Sequence, residues 1–169
     1  MKKTLVLAIL IFLTAGAEAR YKWEKISYYH ATGPVSPEYQ YNYNILIDEE
    51  GNGKLEYTKS GKTNVYNFNV SKRNVNALNK AILSSKVLSV SSDELKSEKN
   101  LIGGPVNSCT ITLPFPDEEE YDENEKEKPP VIIIPNFVTE NYSAGVNNLY
   151  LLMETLVPDS IWEQAQGEW

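Results

Sequence analysis

The chain has 169 residues, with 16 basic and 23 acidic side chains, one histidine, one cysteine and a formal net charge of −7. A single cysteine excludes an internal disulfide, and one histidine beside one cysteine excludes the usual zinc ligand sets. So acidic a chain repels nucleic acid and anionic membranes unless a local basic patch overrides the average; the one dense cluster is Lys72 and Arg73, so nucleic acid is not the expected partner.

Lys2 and Lys3 precede an apolar or neutral run from Thr4 to Thr14. Ala17, Glu18 and Ala19 then place small residues at the two positions that a signal peptidase reads. The run is too short to cross a bilayer, which takes roughly 20 helical residues. Cleavage after Ala19 is expected, with a secreted or periplasmic mature chain and no lipid anchor, because no cysteine follows the run. Loss of Lys2, Lys3 and Glu18 leaves 14 basic against 22 acidic residues, a net charge near −8. Residues 20–169 are enough for one domain whose core needs no metal or disulfide.

Trp23 to His30 reads as a first strand. The loop Ala31, Thr32, Gly33, Pro34, Val35, Ser36, Pro37 follows, and its prolines and glycine cannot continue a ladder. Tyr39, Tyr41, Tyr43, Ile45 and Ile47 then alternate with Gln40, Asn42, Asn44 and Leu46, the period of a strand. Asp48 to Gly53 is a turn, Leu55 and Tyr57 resume the alternation, and Gly61 marks a second turn before Tyr66, Phe68 and Val70.

Ser71 is a suitable N-cap for a helix from about Lys72 to about Ser85, with Val75, Leu78, Ala81 and Ile82 as its apolar stripe. Ser89 to Pro105 reads as a connection with one helical turn near Asp93. Cys109, Ile111 and Leu113 alternate in a further strand, with Cys109 pointing inward as a small hydrophobe. Residues 117–128 carry eight carboxylates and two lysines, and with Pro129 and Pro130 they form an acidic loop. It reads as solvated because like charges at this density resist packing; the alternative, docking of a basic partner or loose calcium binding, makes it the second candidate surface. Val131 to Ile134 is a short strand paired with the previous one. Val146, Leu149, Leu152, Met153 and Leu156 define a second helix, ended by Pro158 and followed by a short turn through Ile161 and Trp162. The expected class is α+β: a mostly antiparallel sheet of five to six strands with two helices on one face.

Catalytic signals are sparse. His30 borders the first loop with no strand–Gly–Ser–Gly elbow anywhere, so it reads as a surface histidine and not as the base of a triad. Asp48, Glu50, Asn52 and Gly53 fall at calcium-loop positions, but position twelve is Lys59 in place of a bidentate glutamate, and strands flank the loop. The tyrosine stripe suits sugar stacking, yet it continues into Ile45 and Ile47, which favours core. Asn69-Val70-Ser71 and Asn141-Tyr142-Ser143 match the glycosylation pattern, and a bacterial chain would leave both unmodified.

The order of elements over residues 23–90 resembles that of small bacterial domains around the emfourin-type protease inhibitors. A strand, the loop Thr32-Gly33-Pro34, a strand, the turn Asp48 to Gly53, and Phe68-Asn69-Val70-Ser71 leading into a helix carry the resemblance. It implies an inhibitor-like or otherwise non-catalytic binding domain, and it assigns no individual functional residue. The sequence thus predicts a monomeric exported binding module with a protein partner, neither enzyme nor metal or cofactor carrier. His30, Thr32, Gly33, Pro34, Val35 and Ser36 form its candidate surface, because a proline-stiffened loop loses less entropy on binding. The alternatives are a hydrolase using dispersed carboxylates such as Glu24, Glu38 or Glu56, and an envelope protein without a discrete site.

Overall fold

The computed structural model describes residues 23–98, 103–115 and 129–167. The leader at 1–19 and the acidic stretch at 117–128 lie outside the described residues. The elements run β1 (Lys25–Ala31), β2 (Tyr41–Asp48), β3 (Asn52–Lys59), β4 (Lys62–Asn69), α1 (Lys72–Ser85), α2 (Ser92–Leu95), β5 (Val106–Thr112), β6 (Val131–Ile134), α3 (Glu140–Leu156) and α4 (Asp159–Gly167). The six strands form one antiparallel sheet in the order β4-β3-β2-β1-β5-β6. The α+β class therefore holds, but with four helices among the described residues instead of two.

The fourth helix follows from Pro158. Its fixed φ suits a helix start, and its carbonyl accepts from Ile161 and Trp162, so the expected short turn propagates into nine residues. Two strand limits also move. Pro37 opens a short 3-10 turn through Tyr39, which takes Tyr39 out of the tyrosine stripe and leaves it 68% exposed. The first strand starts at Lys25, while Trp23 tucks into the core and donates its indole N–H to Asn79 of α1.

Period two sorts the sheet into a covered face and an open one. In register on the covered face, Ile26 lies between Ile47 and Ile111, and Tyr28 between Ile45 and Cys109. Ile45 meets Leu55, and Tyr43 meets Tyr57. All of these are buried. Residues such as Ser27, Asn44, Glu56 and Val65 alternate with them on the open face.

The helices complete the core by their spacing. Val75, Leu78 and Ile82 of α1, and Val146, Leu149, Met153 and Leu156 of α3, are buried. Each such apolar side chain contributes about 1.5–3 kcal/mol on leaving water. Ser71 caps α1 by accepting from Asn74 N–H at 3.3 Å, and Lys86 ends it in a left-handed conformation with φ 61°. No helix among the described residues is long and apolar enough to cross a membrane.

α1 and α3 touch at backbone distance through Gly145. A Cβ there would lie 2.8 Å from the Ser85 Cα, closer than any real contact. Gly145→Val is therefore expected to lower stability by about 2 kcal/mol or more, because the crowding exceeds any gain in helix propensity. Urea unfolding followed by circular dichroism reads this; an unchanged midpoint would mean that the helices can part freely.

Candidate functional site

Four connections meet at one end of the sheet: the β1–β2 loop, the β3–β4 turn, the approach to β5 and the segment after β6. They outline two adjoining open surface pockets. One, of about 430 Å³, is lined by Thr32, Gly33, Pro34, Gln40, Gly103, Gly104, Val106, Asn136 and Phe137. The other, of about 460 Å³, lies between Thr32, Pro37, Gln40, Tyr41 and the turn Thr58 to Gly61. The anticipated loop thus forms a wall shared by both pockets.

The loop is braced along its length. Thr32 N–H donates to the Tyr41 carbonyl at 3.0 Å, and the Thr32 hydroxyl accepts from Tyr41 N–H at 3.2 Å. Val35 N–H donates to Gly33 O at 2.8 Å, and Gln40 Nε2 donates to Val35 O at 2.8 Å. Gly33 lies flush against the Gly104 backbone, where a Cβ would come within 2.4 Å of the Gly104 oxygen. Only glycine permits that approach. At the rim Pro34 is exposed, and Val35 and Val106 are each 42% exposed, so apolar groups face solvent from a fixed backbone.

Beneath the loop lies a polar network that the sequence did not announce. Tyr43 donates to Glu154 Oε1 at 2.5 Å. The single Tyr28 hydroxyl proton has two acceptors in reach, Glu154 Oε1 and Asn107 Oδ1, each at 3.1 Å. His30 Nδ1 donates to the same Asn107 oxygen at 2.7 Å, and Asn107 N–H donates to Asn136 Oδ1 at 2.7 Å. β1, β2, β5, α3 and the pocket wall at Asn136 are tied together in one chain of bonds.

Aromatic rings fill the space around these bonds. His30 stacks on Tyr43 at 4.8 Å, Tyr150 on Tyr28 at 4.5 Å, and Trp162 meets Tyr43 edge-on at 5.0 Å. Trp162 Nε1 donates to the Glu154 carbonyl at 3.2 Å, which docks α4 on α3. His30 is therefore no ordinary surface histidine. It shares the inward parity of Ile26 and Tyr28, so its ring is half-buried in the stack. The stripe it joins is core, as its continuation into Ile45 and Ile47 indicated, with Tyr43 and Tyr57 buried.

The electrostatics suit a framework. Burial first, and then the neighbouring Glu154, hold the Tyr28 and Tyr43 hydroxyls far above the ordinary tyrosine range. Burial does the same for Tyr150 and raises Tyr57. These phenols are held neutral, and Tyr28 and Tyr43 act as donors. Burial also pushes the Cys109 thiol up, which suppresses the thiolate a nucleophile would need.

The remaining candidate groups do not converge. Glu24 sits at the far end of the sheet, where its carbonyl accepts from Glu49 N–H; Glu38 is in the loop; Glu56 is on the open face, paired with Lys54 at 2.8 Å. Asp48, the first position of the calcium-like loop, instead accepts from the Asn52 backbone and side chain at 2.7 and 2.8 Å. No metal-ligating cluster occurs among the described residues. In comparison with known proteins, no family model matches the chain and no curated sequence matches it.

Two results are expected from the network. Tyr43→Phe removes a donor from Glu154 and should cost about 1 kcal/mol, whereas Tyr150→Phe should be neutral or stabilising, because the buried Tyr150 hydroxyl has no partner among the described residues. Equal losses from both in urea titrations would contradict this. Secondly, unfolded tyrosines ionise near pH 10 while the buried ones stay protonated. Stability should be intact below about pH 10 and fall above it, as the unfolded state alone sheds protons. Tyrosinate absorbance and urea midpoints between pH 8 and 11 check this; full, reversible ionisation near pH 10 in the folded chain would refute it.

Proposed function

We propose that the protein is an exported, non-catalytic protein-binding module that presents the Thr32–Ser36 loop as its recognition surface. His30, half-buried in the aromatic stack, supports that surface from beneath and is not part of it. The observation that supports this best is the seating of Gly33 on Gly104, which holds Pro34 and Val35 outward in a conformation fixed before any partner arrives. A loop already ordered in the free protein loses little further freedom on binding, so its apolar contacts translate into affinity. The adjoining pockets offer a partner concave surface on either side of the projection.

A protease of the same cell envelope is the partner class proposed here, with the chain acting as its inhibitor. The resemblance of the Thr32-Gly33-Pro34 loop and of the element order to emfourin-type domains supports this choice. A braced, proline-bounded loop also suits the role, because it cannot relax into the extended chain that a protease cleaves. Neutral phenols, a suppressed thiol and scattered carboxylates all favour binding over turnover.

Affinity capture from the envelope fraction with the purified mature chain tests the proposal. Capture of a protease whose activity falls on adding the chain is expected. It should be lost on Val35→Asp or on deletion of Thr32 to Ser36, and retained on Glu56→Gln, which lies on the open face. Capture that is indifferent to both loop changes would overturn it.

A further inference from the structure

The two edges of the sheet are built differently. β6 is four residues long, with Pro129 and Pro130 before it and Pro135 after it. Short length and flanking proline are the usual devices that stop a strand edge from recruiting another chain. β4 has neither. It is eight residues long, and its sequence KTNVYNFN has no proline, no glycine and no carboxylate.

The groups left open on this edge follow from the hairpin. Ser60 and Gly61, at φ 50° and 75°, form a two-residue turn of the type that makes Lys59 and Lys62 a hydrogen-bonded pair. The parity persists to the end of the strand, where Val70 N–H donates to Gly51 O at 2.7 Å. Even-numbered residues of β4 thus bond to β3. The N–H and C=O groups of Thr63, Val65 and Asn67 point away from the sheet, and β3 is the only strand paired with β4 among the described residues.

Charge gives a second, independent observation. From Tyr57 to Ser92 the chain has six cations, Lys59, Lys62, Lys72, Arg73, Lys80 and Lys86, and no carboxylate, although the whole carries −7. The only ion pair among the described residues is Lys54–Glu56, so none of the six is neutralised there. Lys62 stands at one end of the open edge, and Lys72 and Arg73 at the other, all exposed. An acidic molecule thus presents one basic margin, and that margin is an unpaired strand.

We propose that the β4 edge captures an acidic, extended polypeptide segment by strand addition, as a surface independent of the β1–β2 loop. Backbone bonds to Thr63, Val65 and Asn67 supply the pairing, and carboxylates at the ends of the segment meet Lys62, Lys72 and Arg73. Main-chain pairing favours a peptide over a nucleic-acid strand, which has no ladder of N–H and C=O groups to offer.

The test uses an eight-residue peptide of alternating glutamate and valine with blocked ends, fluorescently labelled and titrated with the mature chain. Three results are expected. Amide exchange slows at Thr63, Val65 and Asn67; N-methylation of the peptide's edge-facing amides weakens binding about tenfold or more; and Lys62→Glu with Lys72→Glu and Arg73→Glu weakens it similarly and flattens its salt dependence. These surface changes leave the core untouched, and an unchanged thermal midpoint verifies that. Val65→Pro, which deletes an outward N–H without breaking the β3 ladder, should act like N-methylation. Protection elsewhere, indifference to N-methylation, tighter binding of an oligothymidine of equal charge, or dimerisation of the free chain through β4 would each overturn the proposal.

Discussion

A phenol carried beneath a helix is stabilised by finding an acceptor, because a buried hydroxyl without one, as at Tyr150, costs about 1–3 kcal/mol. Tyr28 and Tyr43 are neighbours on the covered face, and both reach the same oxygen of Glu154 on α3. That carboxylate fixes where α3 lies over the sheet, and the backbone carbonyl of the same residue receives the indole of Trp162. Two helices and two central strands are thus positioned by one residue. Apolar burial supplies most of the stability, but it is non-directional; the shared oxygen gives the packing its register.

The same network reaches upward. Asn107 accepts from His30 and donates its N–H to Asn136, so the last turn of core and the wall of the pocket are one bonded unit. Above it, the loop is closed on itself by Gln40 and on its neighbour by the Gly33–Gly104 contact. Rigidity passes from α3 through β1 and β5 to the exposed Pro34 and Val35. Burial holds the Tyr28, Tyr43 and Tyr150 phenols and the Cys109 thiol beneath this surface in their neutral forms, which accords with the binding role proposed for it.

Much of the architecture was legible because it is local. Alternation in β2 to β5, the Ser71 cap and the stripes of α1 and α3 are written in consecutive residues, and the structure follows them. The misses have particular causes. Tyr39 matched the period but lies behind Pro37, whose fixed φ starts a turn. The segment after Pro158 reads locally as a short turn, and it extends into α4 because Trp162 packs on Tyr43 and Ala165 is buried. His30 borders the loop, but its parity with Tyr28 places it inward. Glu154 and Asn107 could not be found from sequence at all. Each is an ordinary polar residue whose role exists only once strands 79 to 126 residues away arrive beside it.

The central claim is that the loop proposed for recognition is ordered before it binds anything. Native-state amide exchange of the free chain reads this directly at Thr32, Val35, Tyr39 and Gln40, whose N–H groups all have acceptors. The account predicts protection of these amides well above that of an unstructured peptide, and its loss on Gly33→Val while the β2 and β3 amides stay protected. Exchange at peptide rates in the unaltered chain would contradict it.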